Sequence, residues 1–330
     1  MKHGANIYKY AKKINSKPKD IIDFSSNINF YNKPLKLTLT NKLITSYADT
    51  NYTKLKRTIA KKFSLKRSQI KLYNGASSAI VELIKSLKNK KIYLYAPLYS
   101  EYERASKDKQ IIKINRFKDF NQKVSKNSTV VFVNPSTPDG HYYALNKLFR
   151  MWKKQNCTII IDESFLEFES LKSMRMYIKD YKKLYIIQSF SKFYSCAGIR
   201  IGAVFSHKTN IKRLKVPMWN ISSFDANFLN IRLKEKSFLK KSKKLHKTQK
   251  KQLYKILKDT NIFDKIYKSD TNFILTKSNK AKQIFKYLLE HKILTRTCKS
   301  FDFLDENYLR FGVKDIKKHK ILKRILHELS

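Results

Sequence analysis

Residues 189–202, SFSKFYSCAGIRIG, set Lys192 between Ser189 and Ser191, with Arg200 eight residues further on. A lysine amine can condense with a carbonyl to form a Schiff base. Two hydroxyls and a guanidinium can hold a phosphate, a task that suits arginine through its planar fork of donors. Together they suit a phosphorylated aldehyde, and pyridoxal 5'-phosphate carries both groups. Lys and Arg total 72, so any single lysine can equally be a solvated surface residue. The rest of the chain has to decide.

Other stretches offer matching chemistry. NGASSAIVELI (74–84) places a turn glycine before a helix with Ser77 and Ser78 near its start. Free N–H groups and the positive end of the helix dipole there make either a phosphate site or an ordinary capped helix. IIIDESFLEF (159–168) puts Asp162 at the end of an apolar strand. Ligands in α/β sheets bind beyond the carboxyl ends of strands. A carboxylate there can pair with a protonated pyridine nitrogen, or cap the next helix. NPSTPDG (134–140) reads as a rigid loop at the same sheet edge. Tyr99, in APLYSEY, can stack on a planar ring or fill the core. Arg310, in YLRFGV, can project to solvent or clamp a carboxylate or phosphate.

The elements that must position these residues follow from the pattern. Apolar runs at 92–95, 129–133, 157–161, 184–188 and 201–205 read as strands. Helical patterns at 77–87 and 145–155 lie between them. The alternation predicts an α/β domain with a mostly parallel sheet. Residues 226–258 read as one or two lysine-rich helices. A smaller α/β unit follows, with strands at 272–276, 293–297 and 308–313, a helix over 280–291 and a closing helix. Six glycines in 330 residues is few, and the expectation is that each sits where no side chain fits.

A composition of 42% hydrophobic residues allows a sizeable core. No apolar run reaches the roughly 18 residues of a membrane span, and the opening MKHGANIYKYAKK lacks a signal peptide's apolar middle. Cys157, Cys196 and Cys298 suggest neither disulfides nor a metal site, so a reducing cytoplasm is expected. The net charge of +47 is scattered among Ile, Asn, Tyr and Phe. It fits AT-rich codons and predicts weak, salt-sensitive polyanion binding rather than a specific nucleic-acid partner.

The order of these motifs resembles that of a fold-type I pyridoxal-phosphate enzyme of the class I/II aminotransferase superfamily, over nearly the whole chain. The resemblance implies Lys192 as the Schiff-base lysine, Asp162 as the ring-nitrogen partner and Tyr99 as the stacking aromatic. It implies Ala76, Ser77, Ser189, Ser191 and Arg200 as the phosphate cup. Tyr47 would reach the cofactor phosphate of the other subunit of a homodimer, and Arg310 would bind the substrate α-carboxylate. It also divides the chain into an N-terminal arm (1–40), a large cofactor-binding domain (41–225) and a long helix with a small domain (226–330).

Within the superfamily the ends of the chain resemble L-threonine-O-3-phosphate decarboxylases of cobalamin synthesis more than histidinol-phosphate aminotransferases. HGANIYKYAKK, DFSSNIN, PMWNISS and RTCKSFDFL carry that likeness. It implies His3, Asn27 and Arg296 as contacts for the phosphate of a small phosphorylated amino-acid substrate. Two positions depart from the pattern. Thr137 stands where the family has the asparagine that bonds the cofactor's ring oxygen, and Phe165 stands where it often has tyrosine.

Overall fold

The structure is a computed structural model and describes residues 6–35, 37 and 40–329. His3, expected at the substrate phosphate, lies outside the described residues. The chain opens with helix α1 (Ile7–Lys13), strand β1 (Ile22–Asp23) and helices α2 (Asn41–Thr45) and α3 (Thr53–Phe63). Strands β2 (Ile70–Asn74), β3 (Lys91–Ala96), β4 (Gln110–Asn115), β5 (Thr129–Val133), β6 (Thr158–Asp162), β7 (Leu184–Ser189) and β8 (Ile201–Ser206) then form one seven-stranded sheet. Its order is β2-β8-β7-β6-β5-β3-β4. The strands from β7 through β4 run parallel, and β8 is antiparallel to both its neighbours.

Every residue of β5, β6, β7 and β8 is buried, which is why these segments read as unbroken apolar runs. Alternate side chains serve opposite faces. Phe132, Ile159 and Ile161 pack with α3 and with α6 (Asn146–Lys154) through Ile59 and Trp152. Val131, Val133 and Ile160 pack on the other face with α4 (Gly75–Ser86), α5 (Glu101–Ala105) and α7 (Lys208–Arg213) through Leu83, Tyr102 and Ile211.

The lysine-rich stretch forms two helices, α8 (Ser223–Arg232) and α9 (Lys236–Asp259). Beyond them come β9 (Lys265–Ile266), β10 (Phe273–Lys277), α10 (Ala281–Glu290), β11 (Ile293–Leu294), β12 (Arg296–Thr297), β13 (Tyr308–Gly312) and α11 (Ile316–His327). The single strand expected at 293–297 is two. β11 pairs in parallel with β1, while β12 joins the antiparallel sheet β12-β13-β10-β9. This sheet has its own core with α9, α10 and α11, around Leu257, Ile284, Phe311 and Leu322.

Of the glycines, Gly198 departs from expectation, since a Cβ there would meet nothing within 4 Å. Gly202 follows it closely, because a Cβ would lie 2.4 Å from the Ala76 backbone nitrogen. That glycine lets β8 and the start of α4 come together.

Candidate active site

Parallel strands deliver the first half of the site. Asp162 is the last residue of β6 and Ser189 the last of β7. Tyr99, Thr137 and Lys192 lie in the connections just beyond β3, β5 and β7. The antiparallel strand β13 and its neighbour β12 supply the second half. Between them is a cavity of about 380 Å³. Lys192, Asp162, Tyr99, Ala76, Ser77, Thr137, Ser189, Ser191, Arg200, Asn27, Arg296 and Arg310 all line it.

At one end, Ala76 and Ser77 occupy the first turn of α4, where backbone N–H groups have no helical acceptor. The Ser77 hydroxyl lies 3.2 Å from the Tyr99 hydroxyl. Gly202 sits opposite Ser189 in the β7–β8 register and brings the α4 terminus against the two serines. Arg200 donates to the Ser191 hydroxyl at 3.5 Å. Gly75 has φ +78°, and a Cβ there would sit 2.6 Å from the Arg200 guanidinium. Hydroxyls, helix N–H groups and a guanidinium around a recess that a side chain would fill form a cup suited to a phosphate.

The middle of the cavity holds the groups that can act on a ring. Asp162 is buried and accepts from the Tyr102 hydroxyl at 2.8 Å and from the Ser164 N–H at 2.9 Å. Two donors fix the orientation of this carboxylate. The Lys192 Nζ lies 4.1 Å from the Phe165 ring centroid. Burial, together with Arg310 and Arg200, lowers its pKa to about 8 against the opposing pull of Asp162. Phe165, the position that departs from tyrosine, thus packs an apolar face against the lysine amine. The Thr137 hydroxyl accepts from Arg310 at 3.2 Å, which leaves its own hydrogen for a further acceptor.

The far end is cationic. Arg296 and Arg310 face each other across the β12–β13 pair, 3% and 6% exposed. Arg296 donates to the Ser300 hydroxyl at 2.8 Å, and Arg310 to the Ser25 carbonyl at 3.1 Å. Burial first, and for Arg310 also the neighbouring Arg296, depresses both guanidinium pKa values, that of Arg310 to about 10. The backbone of Asn27, in the segment crossing this end, accepts from the Asn272 amide at 2.7 Å.

Tyr47 lies outside this cavity. It is 79% exposed and stacks on Trp219 with ring centroids 4.2 Å apart. Sequence reasoning missed Tyr102 and Arg116. Arg116 donates to the carbonyls of Pro97 and Thr137 and pairs with buried Asp139, tying the loops after β3 and β5 together. The only signal for Tyr102 was its place three residues after Tyr99, one helical turn along. Arg116 carried none.

The sequence pattern described as aminotransferase class I and II matches residues 2–325. The chain belongs to that family. It is 30% identical over 346 residues to the adenosylcobalamin biosynthesis bifunctional protein CobDQ of Leptospira interrogans, covering 96% of this chain. The chain spans only 40% of that protein's length. It is 28% identical to histidinol-phosphate aminotransferase of Flavobacterium johnsoniae, over 87% of this chain and 86% of that one. Among solved structures, histidinol-phosphate aminotransferase of Clostridium acetobutylicum superposes with a TM-score of 0.82 at 28% identity, covering 93% and 98% of the two chains. L-threonine-O-3-phosphate decarboxylase of Porphyromonas gingivalis shares the fold, with a TM-score of 0.77 at 21% identity and the same coverage.

The fold is therefore that of fold-type I enzymes, and the cofactor is pyridoxal 5'-phosphate. The residues present fit it: a phosphate cup, a buried carboxylate and a lysine of lowered basicity surround one cavity. No helix among the described residues is long and apolar enough to cross a membrane, and the described residues contain no metal-binding cluster of His, Cys, Asp or Glu.

Proposed function

We propose that the chain is a decarboxylase of a phosphorylated hydroxy amino acid, O-phospho-L-threonine or O-phospho-L-serine, yielding an amino-alcohol phosphate for cobalamin assembly. The observation that carries this reading is the arginine pair on β12 and β13. Like charges directly opposite on a sheet repel, and these two are also buried. Two separate anionic groups on one substrate relieve that repulsion. A phosphorylated amino acid brings a phosphate and a carboxylate. Histidinol phosphate brings only the phosphate, and the carboxylates of a transaminase enter with its 2-oxoacid partner instead.

Bound pyridoxal 5'-phosphate supplies an electron sink for the bond that breaks at the substrate Cα. Ser189, Ser191, Arg200 and the α4 N-terminus with Ala76 and Ser77 would hold its phosphate. Tyr99 would lie against the ring, Asp162 would pair with the ring nitrogen, and Thr137 would donate to the ring oxygen. Lys192 would bind the aldehyde and, once the substrate amine takes its place, its freed Nζ would deliver the proton that replaces the departing carboxylate on Cα. Arg310 orients that carboxylate, while Arg296 and Asn27 hold the substrate phosphate, joined by His3. Tyr47, exposed and stacked on Trp219, would meet the cofactor phosphate of a second copy in a homodimer.

A second reading, transamination of histidinol phosphate, is favoured by the 28% identity to the Flavobacterium johnsoniae enzyme. Product analysis separates the two. Decarboxylation predicts CO2 and an amino-alcohol phosphate from O-phospho-L-threonine without a 2-oxoacid. Strict dependence on 2-oxoglutarate, with glutamate formed, establishes the transaminase and overturns the proposal.

A further inference from the structure

Asn29 follows β1 in the segment that lines the cavity with Asn27, and it is 2% exposed. All of its hydrogen-bonding groups are engaged. Its Nδ2 donates to the Phe193 carbonyl at 2.7 Å and to the Ser242 hydroxyl at 3.0 Å. Its Oδ1 accepts from the Tyr31 N–H at 2.8 Å and lies 2.8 Å from His246 Nε2. A side-chain amide has two donor hydrogens and two acceptor lone pairs, so its capacity is filled. The backbone N–H donates to the Lys192 carbonyl at 2.9 Å, and the backbone carbonyl accepts from the Ser195 hydroxyl at 2.9 Å.

The amide's orientation is fixed by the Phe193 carbonyl, which can only accept, and the Tyr31 N–H, which can only donate. Because Oδ1 can only accept, His246 must carry its hydrogen on Nε2. Its buried Nδ1 has no hydrogen-bond partner, as suits the unprotonated nitrogen. Burial, with Lys250 and Lys314 nearby, lowers the His246 pKa to about 3, so the ring stays neutral across the working range.

Three of the Asn29 bonds land on the 192–195 turn, which bears the lysine. Ser195 within it has φ +52°, a conformation a non-glycine residue keeps only where its surroundings impose it. Of the three remaining amide bonds, one is to the Tyr31 N–H and two reach α9 through Ser242 and His246, so the turn is braced against that helix.

We propose that Asn29 is the positioning residue of Lys192: it clamps the 192–195 turn so that the lysine amine enters the cavity against the Phe165 ring. This rests on Lys192 being the residue that carries pyridoxal 5'-phosphate.

The test is the rate at which the cofactor-free chain takes up pyridoxal 5'-phosphate at Lys192, trapped with borohydride and read by peptide mapping across pH. The variants are Asn29→Ala and Ser242→Ala, with Tyr181→Phe as control. Tyr181 donates to the Cys157 carbonyl at 2.6 Å, so its variant loses one hydrogen bond unconnected with the turn. Misplacing a reacting group by about 1 Å can cost 10²-fold, so Asn29→Ala should label about 10- to 100-fold more slowly. The pH midpoint of labelling should also move up from near 8 toward the ordinary lysine value. Ser242→Ala, which unpairs one amide hydrogen and keeps the clamp, should slow labelling about fivefold, the equivalent of one neutral hydrogen bond. It keeps the test open if Asn29→Ala does not fold. Tyr181→Phe should leave rate and midpoint unchanged. A wild-type rate and midpoint in the folded Asn29 and Ser242 variants overturn the proposal, as does an equal shift in the control. Label found on another lysine of the unsubstituted chain overturns instead the assignment of Lys192 itself.

Discussion

Arg296→Gln tests the substrate end of the cavity most directly. The side chain donates to Ser300, stacks near the Phe301 ring and faces Arg310 across two strands. If it holds the substrate phosphate, the substitution removes a charge-assisted hydrogen bond, worth about 1.5–3 kcal/mol. That corresponds to a loss in kcat/KM of about 10- to 150-fold, at 1.4 kcal/mol per factor of ten. The same change removes a like charge opposite Arg310, a repulsion of about 0.2–1 kcal/mol on a sheet. Folding stability should therefore hold steady or rise slightly, even as catalysis falls. The assay compares kcat/KM for O-phospho-L-threonine and unphosphorylated L-threonine in both proteins, alongside urea midpoints. The loss should appear as a higher KM for the phosphorylated substrate and be much smaller for the other, with pyridoxal 5'-phosphate absorbance retained because Arg200 serves the cup. Equal losses for both substrates, or a marked fall in the urea midpoint, would refute the reasoning and make Arg296 a structural or carboxylate residue.

Three further outcomes follow from the same geometry. Lys192→Ala should abolish the borohydride-stable label, as read by mass spectrometry of the intact chain. Asp162→Asn should keep cofactor binding, seen by absorbance, yet lose about 10- to 1000-fold in turnover, since a neighbouring carboxylate holds a cationic partner's pKa up by about 1–3 units; wild-type turnover would remove Asp162 from the site. The Lys192 pKa is lowered to about 8 in the folded chain, so between there and its ordinary value near 10.5 the unfolded chain binds more protons. Its contribution to cofactor-free stability is unfavourable below pH 8 and improves as pH rises through that window. Lys192→Met should accordingly stabilise the cofactor-free protein at pH 7, with the gain shrinking by pH 10 in urea titrations.

The central strands were legible because burial on both faces demands unbroken apolar runs, and β5 through β8 have them. Edge strands obey a weaker rule. In β4, QIIKIN, polar residues interrupt the pattern, and the strand was not anticipated. The split of 293–297 was equally hidden, because its halves find partners at opposite ends of the chain. At the site, residues that meet a ligand cluster in short motifs and could be read. Those that act through another residue could not. Tyr102 reaches Asp162 across 60 positions, and Asn29 reaches Phe193 across 164. No local spacing encodes such pairings. Gly198 shows the opposite error, a scarce residue type taken as a steric requirement where there is open space.

The segment 24–26 also sets an order of assembly. Arg310 grips the Ser25 carbonyl across 285 positions, and Lys314 grips that of Ser26 across 288. Gly312 donates to the Phe24 carbonyl, and a Cβ at that glycine would lie 2.3 Å from the Ser26 oxygen. The phosphate cup, by contrast, is complete once Gly202 has been synthesised. During translation the cup can form early, while residues 24–26 wait for β13 to leave the ribosome. Closing so long a loop adds little to its entropic cost, which grows only with the logarithm of length, but contacts this distant in sequence form slowly. A chain at that stage has the residues of the cup but not the Arg310 end of the cavity. The contacts of Arg310, Gly312 and Lys314 with residues 24–26 then join the beginning of the chain to β13, its last described strand.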